Sequence, residues 1–221
     1  MNTRLTLQDC DTLMLDMDGT LLDLAFDNFM WLQHIPAEYG RKRGLEHDEA
    51  LRQIYAHYQR LRGQLDWYCL DHWSELLDLD VVGLHRAERA RIGWLPGAEA
   101  FLEAVQQTGQ RVLLVTNSHP DTLAVKSEVT GIEQYFSEIY TSHQFGHPKE
   151  DQEFWRALAR AEEFDPSGTI FVDDNEAVLS RAQEYGLHNI VRVTRPDTTR
   201  DILRCERFAT VEGVKELLPA T

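Results

Sequence analysis

Short, uninterrupted apolar runs punctuate the chain, and amphipathic stretches separate the later ones. Consecutive apolar positions, as in Arg111–Val115, are typical of strands buried on both faces of a parallel sheet. The stretches between runs carry apolar residues at helical spacing, and Ala98–Thr108 ends before Gly109, a common stop signal. Strand and helix therefore alternate from about Leu95, which predicts an α/β fold with a doubly wound parallel sheet. The remaining predicted strands are Thr12–Leu15, Ile139–Thr141, Thr169–Val172 and Ile190–Val193, and the remaining helices are 121–130, 150–163 and 176–185.

A long helical segment interrupts this alternation after the first strand. That strand ends near Asp16, and the next one begins only at Arg111. Residues 23–94 have a helix-favouring composition with few strand signals, and the segment is too long for a simple crossover. We therefore predict a core domain formed by residues 1–22 and 95–221, with 23–94 as an inserted helical subdomain.

The charge balance excludes some classes of partner. The 221 residues include 22 Lys+Arg against 37 Asp+Glu, which gives a formal net charge of −15. Binding to nucleic acid needs clustered basic residues, and an anionic membrane surface repels an acidic protein, so neither partner is expected. No apolar run approaches the ~20 residues of a membrane-spanning helix.

The cysteines and histidines give no sign of a disulfide framework or a zinc site. Three cysteines are far apart and form no CxxC pair, which predicts reduced thiols. The opening residues lack the apolar region of a secretion signal, so a cytoplasmic location is expected. His119, His143 and His147 match no zinc-binding spacing.

Two predicted strands end in paired carboxylates. Asp16 and Asp18 follow the first strand, and Asp173 and Asp174 follow the fourth. The carboxyl ends of parallel strands border the ligand-binding crevice of α/β proteins, so these acids are expected to converge. Close carboxylates repel one another unless a cation lies between them, and hard oxygen ligands suit Mg²⁺. The alternative is structural: an Asp-rich turn after the first strand, and a helix N-cap with a first-turn acid after the fourth.

Two further polar sites lie near predicted strand ends. Thr116 and Asn117 follow the run Arg111–Val115, where a hydroxyl and an amide could hydrogen-bond phosphate oxygens, although such a dipeptide is also common in turns and helix caps. Lys149 lies at the start of the predicted helix 150–163, where the helix dipole favours acids. It is either a buried functional cation or an ordinary solvated lysine.

In combination and in chain order, these four groups are much more specific than any one of them. Asp16-x-Asp18-x-Thr20, Thr116-Asn117, Lys149 and Asp173-Asp174 resemble the four motifs of the haloacid dehalogenase-like hydrolase superfamily. The resemblance implies a Rossmann-like core, and the helical insertion is similar to the mobile type-one cap of that superfamily. Asp18 is typical of its phosphatase and phosphotransferase branch, since the dehalogenases lack this second Asp and need no metal.

The resemblance also implies a role for each motif residue. Asp16 would be the nucleophile that forms an aspartyl-phosphate, and Asp18 would be the general acid and base. Thr116 and Asn117 would bind the phosphoryl oxygens, and Lys149 would neutralise the developing charge. The implied Mg²⁺ ligands are Asp16, the main-chain carbonyl of Asp18, and Asp174 with or through Asp173.

Four segments, inside and outside the insertion, are similar to purine 5′-nucleotidases of the same superfamily; they are 23–28, 65–71, 116–120 and 145–152. The similarity implies a small phosphorylated metabolite as partner, a purine nucleoside 5′-monophosphate such as GMP or IMP. Asp23, Asp27 and Asn28 would contact its base or ribose, and His119 is either a substrate contact or a solvated loop histidine. The alternative is a phosphatase for another small phosphomonoester, such as a sugar phosphate or phosphoglycolate. A phospho-accepting receiver-type signalling module is a more distant alternative.

The insertion offers further candidates, each with a structural alternative. Residues 41–62 contain six basic against three acidic residues. They form either a solvated helix face or a cationic lid over an anionic substrate. Trp31, Trp67 and Tyr68 are either core aromatics or a stacking surface for a purine.

Overall fold

A six-stranded parallel sheet forms the centre of the protein, in a computed structural model that describes Leu7 and residues 10–219. The strands are β1 (Thr12–Leu15), β2 (Arg111–Thr116), β3 (Glu138–Thr141), β4 (Thr169–Asp173), β5 (Asn189–Val193) and β6 (Ala209–Val211). Every neighbouring pair is parallel, and the order is β3-β2-β1-β4-β5-β6. The predicted α/β fold is confirmed. Each of the five predicted strands overlaps an observed one, and β6 was not predicted.

The central strand is buried on both faces, as its unbroken apolar run predicts. Leu13 and Leu15 of β1 belong to the apolar cluster on one side of the sheet. Met14 points the other way and belongs to the second cluster, and all three side chains are 0% exposed. Helices must therefore cover both faces, which is the arrangement of a doubly wound fold.

The helices follow the strands in the order that the pattern predicts. Those before β2 are α1 (Ala25–Phe29), α2 (Ile35–Arg43), α3 (His47–Leu61), α4 (Leu70–Leu77), α5 (Val81–Ala87) and α6 (Ala98–Gln106). A π-helical segment, Met30–His34, joins α1 to α2. The later helices are α7 (Pro120–Thr130), α8 (Ser142–Phe145), α9 (Gln152–Ala161) and α10 (Glu176–Tyr185). Short 3-10 turns occupy Leu65–Trp67, Arg89–Arg91, Ile132–Tyr135 and Val214–Leu217.

The helical segment α1–α5 leaves and rejoins the core at one place. Leu22 pairs with Trp94 in an isolated antiparallel bridge. The amide of Asp23 donates to the carbonyl of Gly93 over 2.9 Å. The boundaries of a separate subdomain at 23–94 stay a prediction. The chain ends assigned to the core, 1–6, 8–9 and 220–221, lie outside the described residues, and the expectation of no secretion signal falls mostly on the first of them.

The inserted helices share a hydrophobic core with one face of the sheet. Ile54 of α3 and Trp73 of α4 are buried, at 0% and 1% exposure, in the same apolar cluster as Leu15 of β1. Phe26 of α1 joins this cluster as well. The insertion is therefore seated against the sheet by continuous apolar contact, and it lies on the side where the strand ends carry the motif residues.

Candidate active site

The two predicted carboxylate pairs meet at the carboxyl ends of neighbouring strands. Asp16 follows β1, and Asp173 and Asp174 lie at the end of β4, which pairs with β1. One oxygen from each of these three carboxylates lies within 4.8 Å of the others, so they could hold a metal ion. From β1 the chain continues to β2 and β3 on one side, whereas β4, β5 and β6 follow one another on the other side. The strand order therefore reverses between β1 and β4. The site therefore occupies the switch point where doubly wound sheets bind ligands.

Lys149 links these carboxylates to the neighbouring strand. Its ammonium lies 2.5 Å from Asp16 Oδ1 and 2.8 Å from Asp173 Oδ2, and it also donates to the carbonyl of Val115 over 2.9 Å. At 2% exposure it is a buried cation, so the solvated alternative is wrong. It also precedes α9, which begins at Gln152 and is capped by Asp151, rather than starting the helix.

Three carboxylates converge here, but only one ammonium, that of Lys149, lies among them to offset their charge. Burial raises the pKa of Asp16, and the ammonium of Lys149 only partly opposes this effect. Burial also raises the pKa of Asp174 well above its ordinary value, and the charges of Asp173 and Asp16 add to the shift. Three converging carboxylates around one ammonium therefore favour binding of a further cation.

A second buried lysine, Lys126 of α7, serves Asp18. Its ammonium lies 2.6 Å from Asp18 Oδ1 and 2.8 Å and 2.9 Å from the two carboxylate oxygens of Asp27. Burial raises the pKa of Asp18, Lys126 lowers it, and Asp27 raises it. Asp27, which is expected from the sequence to contact base or ribose, lines the cavity and pairs with Lys126, whereas Lys126 was not predicted. No local signal in the sequence marks Lys126, because its 1% exposure follows from how α7 packs.

Thr116 and Asn117 lie at the end of β2, beside the carboxylates. The hydroxyl oxygen of Thr116 accepts from the amide of Ser118 over 3.0 Å. The Asn117 side chain accepts from the amide of Lys149 over 2.8 Å and donates to Glu150 over 2.9 Å. Asn117 therefore fixes the turn that carries Lys149, so both ends of its side chain already have protein partners.

A cavity of about 430 Å³ opens above the carboxylates, a size within the ~300–1,000 Å³ range of small-molecule sites. Its floor includes Asp16, Asp18, Thr116 and Lys149. The facing wall comes from the helical insertion and is aromatic: Trp31, Tyr55, Tyr58, Trp67, Tyr68 and Trp73. These aromatics also pack on one another, with ring centroids 5.3 Å apart for Trp31 and Trp73. The two alternatives for Trp31, Trp67 and Tyr68, core packing and lining of the binding cavity, therefore do not exclude each other.

Of the residues expected to contact the substrate, Asn28 and His119 line the cavity and Asp23 does not. Asn28 lines the cavity and donates to Asp197 over 2.7 Å. His119 also lines it, and at 8% exposure it is not a solvated loop histidine. Asp23 does not reach the cavity wall, because its carboxylate instead accepts from the amides of Ala25 and Thr198, over 3.0 Å and 3.1 Å. The expected contact of Asp23 with base or ribose stays a prediction, and in this arrangement its carboxylate already has protein partners.

The basic stretch 41–62 faces solvent. Arg41 pairs with Glu38 at 2.6 Å and Arg52 pairs with Glu49, and both arginines are largely exposed. The cavity lining that comes from this stretch consists of Tyr55 and Tyr58. Arg41 and Arg52 therefore belong to a solvated helix face. Arg62, in contrast, lines a second cavity together with Asp174, so the cationic lid stays a prediction.

Hydropathy places no part of the described chain in a bilayer. None of the helices within residues 10–219 combines the length and the apolar character that crossing a membrane requires. A cytoplasmic location stays a prediction.

The sheet order, the four motifs and the buried lysine together define a hydrolase of the haloacid dehalogenase type. The chain belongs to the haloacid dehalogenase-like hydrolase family, whose pattern matches residues 10–185. Over 220 residues it is 39% identical to GMP/IMP nucleotidase YrfG of Escherichia coli K12, covering 100% of this chain and 99% of the relative. The Shigella flexneri protein of the same name matches equally. The predictions of this family and of a phosphatase-type enzyme are confirmed.

Solved structures support the same fold. A haloacid dehalogenase-like phosphatase from Thermococcus onnurineus superposes with a TM-score of 0.79, at 22% identity, over 94% of this chain and 95% of that one. The CbbY protein from Rhodobacter sphaeroides, crystallised with phosphate, gives a TM-score of 0.62 at 15% identity, over 94% of this chain and 96% of that one. Both superpositions include the helical insertion as well as the sheet, since they cover nearly the whole chain.

Proposed function

We propose that this protein is a Mg²⁺-dependent phosphomonoester hydrolase whose substrate is a purine nucleoside 5′-monophosphate such as GMP or IMP. The observation that carries the proposal is the pairing of Asp16 with Lys149 on the floor of a cavity with an aromatic wall. The relatives that carry the name GMP/IMP nucleotidase support the substrate class, because the match at 39% identity spans the whole chain and so covers the segments that form the cavity wall.

Asp16 is the proposed nucleophile. A carboxylate oxygen of Asp16 attacks phosphorus, the bond from phosphorus to the ribose 5′ oxygen breaks, and an aspartyl-phosphate forms. Water then attacks the phosphorus, the bond to Asp16 breaks, and inorganic phosphate leaves. Lys149 holds the nucleophile in place and neutralises part of the negative charge on the phosphoryl oxygens. Positioning and electrostatic stabilisation of this kind supply most of the catalysis in phosphoryl transfer.

Asp18 is the proposed proton carrier. It donates a proton to the leaving ribose oxygen and then accepts one from the attacking water. Its position two residues after Asp16 supports this role, and so does a pKa that burial raises, because an acid with a raised pKa is protonated at higher pH. Lys126 and Asp27 adjust that pKa in opposite directions.

The donor set fits Mg²⁺. Asp16, Asp173 and Asp174 offer oxygen ligands only, close together and with an excess of negative charge over the single ammonium of Lys149. Hard oxygen ligands of this kind are what Mg²⁺ prefers. The main-chain carbonyl of Asp18 is the fourth proposed ligand. Once bound, the ion reduces the repulsion between the nucleophile and the phosphate.

The cavity wall supports a flat, aromatic substrate. Trp31, Trp67 and Tyr58 present large apolar surfaces opposite the carboxylates, and a purine ring can stack on such surfaces. Asn28 and His119 add polar groups to the same wall. The hydroxyl of Thr116 lies on the floor, where a phosphoryl oxygen would accept its hydrogen bond.

A panel of phosphomonoesters tests the proposal. Phosphate release from GMP, IMP, pyrimidine nucleotides, glucose 6-phosphate and phosphoglycolate would be measured with Mg²⁺ and with EDTA. We expect the purine nucleotides to react fastest, EDTA to abolish the reaction, and the Asp16→Asn variant to be inactive. Full activity of Asp16→Asn would refute the assigned nucleophile.

The same panel separates the alternatives. Equal rates on sugar phosphates and on GMP would contradict the nucleotidase assignment while keeping the phosphatase. A stoichiometric, long-lived acyl-phosphate without steady turnover would indicate a receiver-type module instead. Activity that persists in EDTA would contradict the metal requirement.

A further inference from the structure

Three side chains come together between the helical insertion and the core; His119 also lines the cavity, whereas Cys69 and His143 do not. Cys69 caps the start of α4, His119 caps the start of α7, and His143 lies in α8. One donor atom from each lies within 4.8 Å of the others. A thiol and two imidazoles form a donor set of a different chemical kind from the all-oxygen carboxylate cluster.

The hydrogen bonds around His143 leave one ring nitrogen with a buried lone pair. The hydroxyl of Ser142 donates to the carbonyl of Asn117 over 3.1 Å, so its oxygen is available as an acceptor for His143 Nδ1, 3.3 Å away. Nδ1 therefore carries the proton, and Nε2 is unprotonated. Nε2 is buried and has no hydrogen-bond partner among the residues that the structure describes. Burying a hydrogen-bond acceptor without a partner costs free energy, so a ligand bound to this nitrogen would stabilise the folded protein.

His119 is surrounded by groups that suit a metal-binding imidazole. Its Nδ1 accepts from the amide of Asp121 over 3.3 Å, and the carboxylate of Asp121 lies 3.6 Å away. A metal ion at Nε2 therefore requires the ring proton to move to Nδ1, where that carboxylate can accept it. The Nε2 atom of His119 lies 3.8 Å from Asp71 Oδ2, a separation longer than a hydrogen bond. A histidine that donates one ring N–H to a carboxylate and offers the other nitrogen outward is the usual arrangement of a metal ligand. Asp71, 79% exposed in its side chain, can approach as a fourth ligand.

We propose that Cys69, His119 and His143 bind one Zn²⁺ ion between α4 and the α7–α8 side of the core, with Asp71 or water as the fourth ligand. One thiolate with imidazole and carboxylate ligands is a donor set that zinc accepts in tetrahedral sites. Zinc bonds of ~2.0–2.3 Å bring ligand atoms to within about 4 Å of one another, so the cluster needs to close by about 1 Å. The ion satisfies the buried nitrogen of His143 and joins the insertion to the core beside the cavity.

The sequence spacing could not reveal this site. His119, His143 and His147 match no zinc-binding spacing, and in the structure His147 turns away from the other two and contacts Asp151 at 3.3 Å. The third ligand is Cys69, which lies in the insertion and far from both histidines along the chain.

Cobalt(II) provides a spectroscopic test that does not depend on turnover. Metal-free, reduced protein would be titrated with Co²⁺, and near-ultraviolet absorption from thiolate-to-cobalt charge transfer would be recorded. Zn²⁺ would then compete for the same site. We expect one equivalent to bind with this band, Cys69→Ser to lose the band, and His143→Gln to bind about tenfold or more weakly. The matched controls Cys205→Ser and His147→Gln should bind as the parent protein does.

The outcomes separate this site from the phosphate site. Asp16→Asn should keep the thiolate band, because its carboxylate belongs to the other cluster. Absence of the band from the parent protein, or its retention in Cys69→Ser, would overturn the proposal and leave simple edge-on packing of the two imidazole rings. If Cys69→Ser fails to fold by circular dichroism, the affinity of His143→Gln decides. A failure of the nucleotidase assay would not alter any of these readings.

Discussion

The ammonium of Lys126 lies 2.6 Å from a carboxylate oxygen of Asp18, although the two residues are 108 positions apart in the chain. Lys126 reaches the strand end from α7 and also binds Asp27 of α1. A core helix and the first inserted helix therefore meet at the proposed proton carrier. This arrangement controls the charge of Asp18 from outside the four motifs.

Substitutions of Lys126 and Asp27 should move the activity profile in opposite directions. Lys126 lowers the pKa of Asp18 and Asp27 raises it, so Lys126→Met should raise the pKa of Asp18 and Asp27→Asn should lower it. Because Asp18 must be protonated in the first step, the alkaline limb of kcat against pH should move up in Lys126→Met and down in Asp27→Asn. Folding of both variants would be checked by circular dichroism. Shifts in the same direction would contradict the assignment.

The hydrogen bond from Tyr68 to Glu150 should contribute to substrate binding. The hydroxyl of Tyr68 donates to Glu150 Oε1 over 2.6 Å, and Glu150 in turn accepts from Asn117, so this bond joins the insertion to the turn that carries Lys149. Hydrogen bonds to charged groups contribute ~1.5–3 kcal/mol. Tyr68→Phe should therefore raise KM by about tenfold with a smaller change in kcat.

Steady-state kinetics with GMP would measure this effect of Tyr68→Phe. Tyr39→Phe is the matched control, because its hydroxyl donates to the exposed side chain of Gln53 away from the cavity. Equal KM values in the two variants would show that the Tyr68 contact is dispensable.

Gly19 should tolerate no side chain, for two separable reasons. Its φ of +87° is strained for any residue with a Cβ, and that Cβ would lie 2.9 Å from Asp174 Cγ. Gly44 has a similar φ of +67° with nothing within 4 Å, so Gly44→Ala reports the backbone strain alone, about 1 kcal/mol. Gly19→Ala should destabilise the protein more than Gly44→Ala does, and only Gly19→Ala should lose activity. Urea unfolding and phosphate release would measure the two effects.

His85 should make the protein less stable in mild acid. It is buried in α5, where its Nδ1 lies 2.8 Å from the carbonyl of Val81, and desolvation lowers its pKa from 6.5 to about 4. Between these pH values the unfolded chain binds the proton and the folded chain does not. The free energy of unfolding therefore falls as the pH drops from about 6.5 to about 4, by up to ~3 kcal/mol.

The measurement for His85 is a difference between variants. Urea unfolding at pH 7 and pH 5 should show a smaller pH dependence for His85→Gln than for the parent protein. His188→Gln, at an exposed position, is the matched control and should keep the parent's dependence. An unchanged dependence in His85→Gln would contradict the assigned cause.

The strands were predictable because burial on both faces leaves a local signature. β1 and β4 are buried at every position, so an apolar run reveals them directly. β6 escaped because it has three residues, of which Val211 is buried and Thr210 is exposed at the edge of the sheet. A short edge strand has too few buried positions to form a recognisable run.

Some of the site residues could likewise be predicted from the sequence, and others could not. Asp16 and Asp173 were predictable as neighbours, because the register of a parallel sheet brings strand ends together. Lys126, Cys69 and His143 lie on or next to helices, and their meeting points depend on how those helices pack. Spacing along the chain does not reveal how the helices pack, so the sequence alone cannot show which partners these residues contact.

The bridge between Leu22 and Trp94 has a consequence for how such proteins diversify. The chain departs from the sheet and returns to it at adjacent positions, so the strands keep their neighbours whatever lies between. A genetic exchange that swaps or shortens the helices after α1 changes the aromatic wall, and it keeps both the carboxylates at the strand ends and the contact of Asp27 with Lys126. Selectivity and reaction chemistry can therefore evolve as separate modules of one gene.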